Sequence, residues 1–471
     1  MTNERMGYII MQSVFVIELH DKRIMIITLG KVKNMIVKDE VRKMKMVAPM
    51  VAATDNETRC KALAIVAERL QENAEAIYAE NKKDLDAAAE NGVADSIVKR
   101  LKFNEAKMKD VIAGINQLIT LEDPIGRVTL DRELDENLRL TRITCPIGVI
   151  GVIFEARPDA LVQISSLCIR SGNCPVLKGG KETTYTNRIL FSIIYKAVLE
   201  AGFPEGCMLQ VEQHNEIDEL LTCYGLVDLL IPRGSNKFVQ YIMNNTRIPV
   251  MGHADGICHI YVDKAADFDK AVPIIVDAKI QYTAACNAVE TLLINREIAE
   301  EFIPVLYKAL RENNVVLRGT KEVTDIIEKT LKDEDPGEGS GFETIDESEF
   351  KEYLALIVSA KLVDGVDEAI NHINERGSHH TDAIITEDQA VADRFLQLVD
   401  SAGVYQNCST RFADGFRYGF GAEVGISTSK IHARGPVGLE GLVTYKYKLV
   451  GKGQIVGDYA SGKSQFHFKD L

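Results

Sequence analysis

The chain has 471 residues, 46% of them hydrophobic and 26% charged, which is typical of a globular protein with two or three domains and excludes a disordered one. Its net charge of −14 and pI near 5.3 argue against nucleic-acid binding, which depends on a dense Lys/Arg surface. Nine scattered cysteines without paired spacing favour reduced thiols in the cytoplasm over disulfides or a bound metal. No apolar run approaches the roughly 20 residues that span a bilayer, so no membrane contact is expected.

Residues 1–45 form an N-terminal extension to which the sequence assigns no role. Its short apolar runs are broken by charged residues, and the charged first segment and cleavage site of a secretory signal are missing. Two interpretations stay open. Either the apolar runs pair as short strands, or the stretch lies upstream of the natural start at Met44, Met46 or Met50.

Helices and then a hairpin are predicted next. The stretch from Thr54 to Glu57 has the pattern of a capping box, and the apolar spacing after it predicts one amphipathic helix to about Glu90. A second helix is predicted over 105–121. Polar and apolar residues then alternate over 128–144, which predicts two strands with one solvated face.

After the hairpin, short apolar runs alternate with helical stretches. Strands are predicted over 148–154, 175–177 and 226–231, with helices between them, and a second section of the same kind starts near Ile257. This alternation predicts an α/β architecture in which parallel sheets are covered by helices on both faces.

Among the nine cysteines, Cys286 has the flanks that a nucleophile needs. It lies in Gln281-Tyr-Thr-Ala-Ala-Cys-Asn-Ala-Val, a turn of small residues that runs into an apolar strand. A thiol between alanines is open to a substrate and close to free backbone N–H groups, which suits a thiolate and its oxyanion. This predicts covalent acyl chemistry, but a buried cysteine that packs as a small apolar residue fits the local sequence equally well.

Two strand-to-helix junctions have features of phosphate-binding sites. In Pro175-Val-Leu-Lys-Gly-Gly-Lys-Glu, a strand ends in two glycines and two lysines, which suits a phosphorylated ribose. In Leu229-Leu-Ile-Pro-Arg-Gly-Ser-Asn, the glycine lets a phosphate approach the N–H groups that begin a helix. Each junction alone is compatible with an ordinary turn. The two together favour a dinucleotide, although the GxGxxG fingerprint is absent.

Three further segments carry arginines that could bind an anionic substrate. Val152-Ile-Phe-Glu-Ala-Arg-Pro ends a buried strand, and the segments that start at Asn407 and Ser429 combine arginines with hydroxyls and amides. Because an arginine fork binds carboxylate or phosphate through two hydrogen bonds, these segments are candidate substrate sites. A structural Glu–Arg pair and ordinary surface turns are the competing interpretations.

These pieces, taken in order, resemble the γ-glutamyl phosphate reductase family, whose members are also called glutamate-5-semialdehyde dehydrogenases, a branch of the aldehyde dehydrogenase superfamily. The resemblance runs from about Thr54 to Leu471, to a monofunctional form whose last block is most similar to eukaryotic members. The segments that carry it are Phe154-Glu-Ala-Arg-Pro, Leu177-Lys-Gly-Gly-Lys-Glu, Ile231-Pro-Arg-Gly-Ser-Asn, Gly252-His-Ala-Asp-Gly-Ile-Cys-His, Ala284-Ala-Cys-Asn-Ala, Gly377-Ser-His-His-Thr-Asp, Thr410-Arg-Phe-Ala-Asp-Gly-Phe-Arg and Ile431-His-Ala-Arg-Gly-Pro-Val-Gly.

The resemblance implies an α/β, aldehyde dehydrogenase-like fold with two Rossmann-like domains and a small β oligomerisation flap. It divides the chain into three parts. The NADP-binding domain comprises residues 46–132 and 148–255, and the catalytic domain that carries the cysteine comprises residues 256–443. The oligomerisation hairpin (residues 133–147) and the C-terminal strand (residues 444–471) form the third part.

The resemblance also implies residue roles. Cys286 becomes the catalytic thiol, and no metal is expected. Six residues are implied to bind the cofactor, at its adenosine ribose and phosphate, its pyrophosphate and its nicotinamide ribose. They are Lys178, Gly180, Lys181, Gly234, Ser235 and Glu352. To the glutamyl and phosphate pocket we assign Arg157, Asn407, Ser409, Arg411, His432 and Arg434.

The implied activity is the NADPH-dependent reduction of L-glutamyl 5-phosphate to L-glutamate 5-semialdehyde and phosphate through a thioester on Cys286, the second step of proline biosynthesis from glutamate. Because the 53 residues ahead of the family match cannot hold a kinase, a separate glutamate 5-kinase is expected to supply the substrate. Superfamily relatives dimerise through the hairpin and the C-terminal strand, so a homo-oligomer, dimer or higher, is expected.

One departure from hydrolytic aldehyde dehydrogenases bears on the mechanism. Those enzymes place a glutamate base in a Glu-Leu-Gly-Gly-Lys segment, whereas the matching Pro249-Val-Met-Gly-His-Ala-Asp-Gly contains no glutamate to activate water. The oxyanion-hole asparagine of the superfamily is also replaced, at or near Arg157. Two other functions stay open: an NAD-dependent hydrolytic aldehyde dehydrogenase, and an inactive scaffold that binds the pathway kinase.

The choice between NADP and NAD depends on three side chains. Lys178 and Lys181 favour the 2′-phosphate of NADP, whereas Glu182 would repel it if its carboxylate pointed inward. The sequence therefore favours NADP without excluding NAD.

Overall fold

The protein, in a computed structural model, is described over residues 37–213, 215–252, 255–331 and 341–471, together with the backbone of two short strands near the N terminus. These strands, β1 (Phe15–Ile17) and β2 (Met25–Ile27), pair antiparallel. The prediction that apolar runs of the extension pair as strands is confirmed for these two runs. The rest of the extension before Val37 lies outside the described residues.

Five helices come next, and one prediction about them is wrong. The single helix expected to end near Glu90 is two helices, because the chain breaks at Asn73, whose backbone N–H and side-chain Nδ2 both donate to the Arg69 carbonyl. Asparagine side chains compete in this way with the helical backbone. Asp55, and not Thr54, caps the first of the two. The helices are α1 (Val37–Ala52), α2 (Asn56–Glu72), α3 (Ala74–Glu90), α4 (Asp95–Leu101) and α5 (Glu105–Thr120).

The predicted hairpin and the first parallel sheet follow. The strands of the hairpin pair antiparallel, and the next four strands form a parallel sheet with the order β7-β6-β5-β8. Strands β6 and β8 lie on opposite sides of β5, so the connections from these strands run in opposite directions across the sheet. At such a switch point of a parallel sheet, a crevice opens at the carboxyl ends of the two adjacent strands, here β5 and β8. The elements are β3 (Val128–Asp135), β4 (Leu138–Pro146), β5 (Val149–Phe154), α6 (Pro158–Arg170), β6 (Cys174–Lys178), α7 (Thr184–Ala201), β7 (Leu209–Val211), α8 (Asn215–Leu221), β8 (Leu229–Arg233) and α9 (Asn236–Asn244).

The second α/β section contains a seven-stranded sheet in which every pair is parallel, with the order β12-β11-β13-β10-β9-β14-β15. Strand β9 has β10 on one side and β14 on the other. The elements are β9 (Cys258–Val262), α10 (Phe268–Ile280), β10 (Val289–Asn295), α11 (Ala299–Glu312), β11 (Val316–Gly319), α12 (Lys321–Leu331), β12 (Phe342–Thr344), β13 (Ile357–Val363), α13 (Val366–Arg376), β14 (Thr381–Ile385), α14 (Gln389–Leu398) and β15 (Gly403–Gln406).

The C-terminal part returns to the first section. Buried side chains between residues 422 and 442 pack in the same core as the first sheet, and the last strands join the hairpin in a four-stranded sheet, β18-β4-β3-β19. In the part of the chain described, no helix is long and apolar enough to cross a membrane. The remaining elements are β16 (Gly425–Ser427), β17 (Gly435–Val437), β18 (Val443–Val450), α15 (Val456–Ala460) and β19 (Lys469–Asp470).

A buried ion pair closes the loop between α10 and β10. Lys279 Nζ lies 2.8 Å from Glu290 Oε2, and both side chains are fully buried. Glu290 Oε1 also accepts from the Leu354 N–H at 3.3 Å. Burial lowers the pKa of Lys279 and raises the pKa of Glu290 to about 7, and each partner opposes the shift of the other. The pair therefore compensates two charges that burial disfavours.

We expect Glu290→Gln to cost about 3–5 kcal/mol of stability, because it leaves the buried Lys279 without its counter-ion. The measurement is the thermal unfolding midpoint, which we expect to fall by roughly 6 °C or more. Glu297→Gln is the matched control. It breaks the exposed Lys264–Glu297 pair, which should cost under about 1 kcal/mol. Equal midpoints for the two variants would contradict the prediction.

Candidate active site

The Cys286 thiol lies in the loop between α10 and β10, which is tied to neighbouring backbone. Cys286 is partly exposed. Asn287 Nδ2 donates to the Ala413 carbonyl at 2.8 Å, and the Asn287 carbonyl accepts from Thr410 Oγ1 at 2.7 Å. Within the described residues, no acceptor meets the Cys286 backbone N–H, which leaves that group for an oxyanion. The thiol is accessible and its backbone is held still, as a nucleophile requires.

Gly256 packs directly on the backbone of Cys286. A Cβ at Gly256 would lie 2.2 Å from the Cys286 carbonyl oxygen and 2.6 Å from its Cα, so a side chain there would displace the nucleophile. The Gly256 N–H donates to Glu352 Oε1 at 3.0 Å, and Cys258 Sγ lies 3.3 Å from the Cys286 carbonyl oxygen. Glu352, which the resemblance assigns to the nicotinamide ribose, is therefore hydrogen bonded to Gly256, the residue that packs on the backbone of the nucleophile.

His380 is a site residue that the sequence analysis missed. Its Nε2 lies 3.1 Å from Cys286 Sγ, and its Nδ1 lies 2.9 Å from Thr381 Oγ1. His380 is fully buried. It belongs to one of the segments that carry the family resemblance, but 94 residues separate it from Cys286, so spacing gave no signal. A cysteine in contact with a histidine is a typical pair for nucleophilic catalysis.

Arginines from both α/β sections lie near the thiol. Arg411 Nε donates to Gln281 Oε1 at 2.9 Å and so lies against the Cys286 loop. Burial lowers the pKa of Arg233, at the end of β8, and Arg157 adds repulsion, whereas a Cys286 thiolate acts in the opposite sense. Burial also lowers the pKa of Arg411, and the thiolate again opposes the shift. A protein with a net charge of −14 therefore concentrates positive charge here, which favours an anionic substrate. Arg233 was not among the predicted site residues.

Four predicted substrate residues have their polar atoms bound by the chain itself. Asn407 accepts from the Thr386 N–H and donates to the Thr386 carbonyl, both at 3.0 Å. Ser409 caps the turn at Arg411, and His432 Nε2 lies 3.0 Å from the Gly441 carbonyl oxygen. The fourth residue is held in the same way: Arg434 Nη1 lies 2.9 Å from Asp400 Oδ1. The structure does not bring these four groups into contact with Cys286, and their place in the pocket stays a prediction.

The predicted adenosine-ribose site lies where β6 ends. Lys178 is buried, and its Nζ donates to the Gly179 carbonyl at 2.6 Å; burial lowers the pKa of Lys178 and Glu182 opposes this shift. Lys181 is exposed. The Glu182 carboxylate accepts from the Ala156 N–H at 2.6 Å, and a Cβ at Gly180 would lie 2.0 Å from it. Glu182 thus points inward, toward the end of β5.

A carboxylate of the protein itself, that of Glu155, is hydrogen bonded at the N terminus of α9. Glu155 Oε2 accepts from the Ser235 N–H at 3.2 Å, and a Cβ at Gly234 would lie 2.7 Å from that oxygen. A carboxylate thus takes the position that a phosphate oxygen takes at other helix N termini. Because Glu155 is exposed and the Ser235 N–H can bind a negatively charged oxygen, the residues at this crevice fit the pyrophosphate of a dinucleotide.

Comparison with known proteins points the same way. The profile described as "Aldehyde dehydrogenase family" matches residues 16–327. The chain is 53% identical to the gamma-glutamyl phosphate reductase of Ruminiclostridium cellulolyticum over 88% of its own length and 94% of the relative's. It is 52% identical to that of Pelotomaculum thermopropionicum over 91% of its length and 96% of the relative's.

A solved structure agrees with the fold. The crystal structure of the gamma-glutamyl phosphate reductase from Thermotoga maritima is 36% identical and superposes with a TM-score of 0.84, covering 89% of this chain and 99% of that chain. The predicted fold class and the family resemblance are confirmed. The chain belongs to the aldehyde dehydrogenase family and, within it, to the gamma-glutamyl phosphate reductases.

Proposed function

We propose that the protein reduces L-glutamyl 5-phosphate to L-glutamate 5-semialdehyde and phosphate, with NADPH as the hydride donor and a thioester on Cys286 as the intermediate. The observation that carries the proposal is the accessible Cys286 thiol beside the arginines Arg233 and Arg411. A thiolate in a cationic pocket suits an anionic acyl phosphate. The name of the relatives, a reductase of γ-glutamyl phosphate, supports the same substrate.

The first half-reaction uses only groups of the chain. The Cys286 thiolate attacks the γ-acyl carbon, the bond from that carbon to the phosphate oxygen breaks, and phosphate leaves. The Cys286 backbone N–H stabilises the oxyanion, and the guanidinium groups of Arg233 and Arg411 neutralise the charge of the departing phosphate. Gly256 keeps the nucleophile at one position throughout, because it contacts the Cys286 backbone.

The second half-reaction resolves the thioester without activated water. NADPH, when bound, would supply hydride to the thioester carbon. The carbon–sulfur bond to Cys286 would then break, which releases the semialdehyde and returns the thiolate. The stretch from Pro249 to Gly256 contains no glutamate. Its one carboxylate, Asp255, is hydrogen bonded by Asn236. These features favour a reductase over a hydrolytic aldehyde dehydrogenase.

The preference for NADPH over NADH rests on Lys178 and Lys181. Lys181 is exposed just past the carboxyl end of β6, where its charge would neutralise a 2′-phosphate. Glu182 points inward, but its carboxylate accepts the Ala156 N–H, and Lys178 lies near enough to be affected by its charge. Because these two groups offset the charge of Glu182, the repulsion between Glu182 and a 2′-phosphate is reduced.

We also propose a cytoplasmic homo-oligomer that receives its substrate from a separate glutamate 5-kinase. The four-stranded sheet ends in β18, whose outer edge pairs with no other strand among the described residues and whose side chains Tyr445, Tyr447 and Leu449 are exposed. An exposed apolar edge strand is a natural site for pairing with a second copy. All nine cysteines are free thiols, as in a reducing compartment.

Cys286→Ala should lower turnover by a factor on the order of 10³ or more, because no other group forms the thioester. NADPH binding, followed by fluorescence titration, should stay near the wild-type value. Cys60→Ala, at a partly exposed thiol on α2, is the control and should keep full activity. Substantial turnover by the Cys286 variant would overturn the assignment of the nucleophile. Wild-type protein without turnover would support the scaffold interpretation.

Lys181→Ala should raise KM for NADPH about tenfold, equivalent to about 1.4 kcal/mol, and leave KM for NADH nearly unchanged. The reason is that only NADPH carries the 2′-phosphate. Lys196→Ala removes an exposed lysine from the middle of α7 and is the control. If KM rose equally for NADPH and NADH, Lys181 would not be the residue that recognises the 2′-phosphate.

In the reverse direction, NADP reduction by glutamate semialdehyde should require phosphate and saturate with it, because phosphate is the group that resolves the thioester. Sulfate, an anion of the same shape and a poor nucleophile, should not replace it. The measurement is absorbance of NADPH at varied phosphate, repeated with NAD. NADP reduction that continues unchanged without phosphate would instead identify a hydrolytic enzyme.

A further inference from the structure

We infer that His380 is the acid–base residue of the first half-reaction: its Nε2 takes the proton of the Cys286 thiol and delivers it to the departing phosphate. The inference deepens the proposed function and rests on it for the identity of the substrate. Its basis is the 3.1 Å contact between Nε2 and Sγ. That distance is within hydrogen-bond reach for a sulfur atom, and it needs no movement of either side chain.

The sheet holds the two residues together. Cys286 lies ahead of β10, and His380 immediately precedes β14, and both strands pair in parallel with β9. The two residues therefore lie at the same amino-terminal edge of the sheet. Cys258, the first residue of β9, lies between the strands and contacts the Cys286 carbonyl oxygen through its Sγ. The contact follows from strand order and is not a chance meeting of two flexible loops.

His380 is itself fixed in position. Its carbonyl accepts from the Gly403 N–H at 3.0 Å, which ties it to β15, and its side chain is fully buried. For Nε2 to take the thiol proton, the neutral ring must carry its hydrogen on Nδ1. Thr381 Oγ1, 2.9 Å from Nδ1, can accept that hydrogen both before and after the transfer, so it holds the ring in the tautomer that leaves Nε2 available.

Two arginines add positive charge near the pair. Arg233 and Arg411 lie close enough to respond to the charge of Cys286. The carboxylate nearest in sequence to the imidazole, Asp382, is hydrogen bonded by His259 and by Ser401. Asp382 therefore holds these two residues.

The first half-reaction neither gains nor loses a proton overall. The thiol proton moves to Nε2, the sulfur–carbon bond forms, and the carbon–oxygen bond to phosphate breaks. The imidazolium then returns the proton to the phosphate oxygen, so that thiol and acyl phosphate yield thioester and hydrogen phosphate with a neutral His380. No oxidant, reductant or further reactant enters this half-reaction.

The experiment measures the thiol without substrate. The rate of Cys286 alkylation by iodoacetamide is followed by mass spectrometry of its peptide across a range of pH, in wild type, His380→Gln and His379→Asn. His379→Asn is the matched control, because it removes the adjacent imidazole, and asparagine tolerates the positive φ of 58° at that position. Thermal unfolding of each variant checks that the protein is folded.

We expect His380→Gln to slow alkylation at pH 7 about tenfold and to move the half-maximal rate to higher pH, because a glutamine cannot take the thiol proton. His379→Asn should match wild type. Thr381→Ser, which keeps the hydroxyl, should also match wild type, whereas Thr381→Val should show part of the shift. Profiles of folded His380→Gln and wild type that coincide would overturn the inference.

A second measurement separates this inference from the proposed function. In a single turnover with acyl phosphate and no cofactor, folded His380→Gln should release phosphate at least tenfold more slowly than His379→Asn, and unchanged release would overturn the inference. If wild type alkylates as expected but releases no phosphate, the proposed substrate is wrong and the thiol–imidazole pair stands.

Discussion

The geometry of the active site depends on one buried interaction, the ion pair between Lys279 and Glu290. The pair joins the end of α10 to the second residue of β10 and so closes the loop that carries Cys286. Both charges are fully buried, and neither is tolerated without the other. On the opposite side of the loop, Gly256 approaches the Cys286 backbone so closely that no side chain fits between them. The nucleophile is therefore positioned by the fold and not by its own flexible loop.

The site forms because two different sheet edges face each other. The first sheet contributes the carboxyl ends of its strands, with Arg157, Arg233 and the helix N terminus at Ser235. The second sheet contributes amino-terminal edges, with Cys286 ahead of β10 and His380 ahead of β14. In the proposed mechanism, a cofactor held at the edge of the first sheet would meet an acyl group at the edge of the second. This arrangement explains how an acidic protein holds an anionic substrate: the positive charge is local.

Much of the fold could be predicted from the sequence, because its hydrophobic period is strong. The hairpin and the alternation of strands and helices after it follow from side-chain patterns that each element must bury. The break at Asn73 could not be predicted in this way, because the apolar spacing continues through it and a side chain's local hydrogen bond ends the helix. At the site, Cys286 and the lysine-bearing junction were identified from local sequence and the resemblance. His432 and Arg434 looked equally suitable, but the folded chain binds their polar atoms.

The sequence by itself determined most of the secondary structure, the α/β class, the family and the identity of the candidate nucleophile, because periodicity, glycine junctions and motif order are local properties of the chain. Only the tertiary structure decided which distant residues meet the thiol. His380 lies 94 residues from Cys286, and Arg233 comes from the other sheet. The physical reason is that strand order, which places β10 and β14 on either side of β9, follows from long-range packing and is not written in the spacing of any single segment.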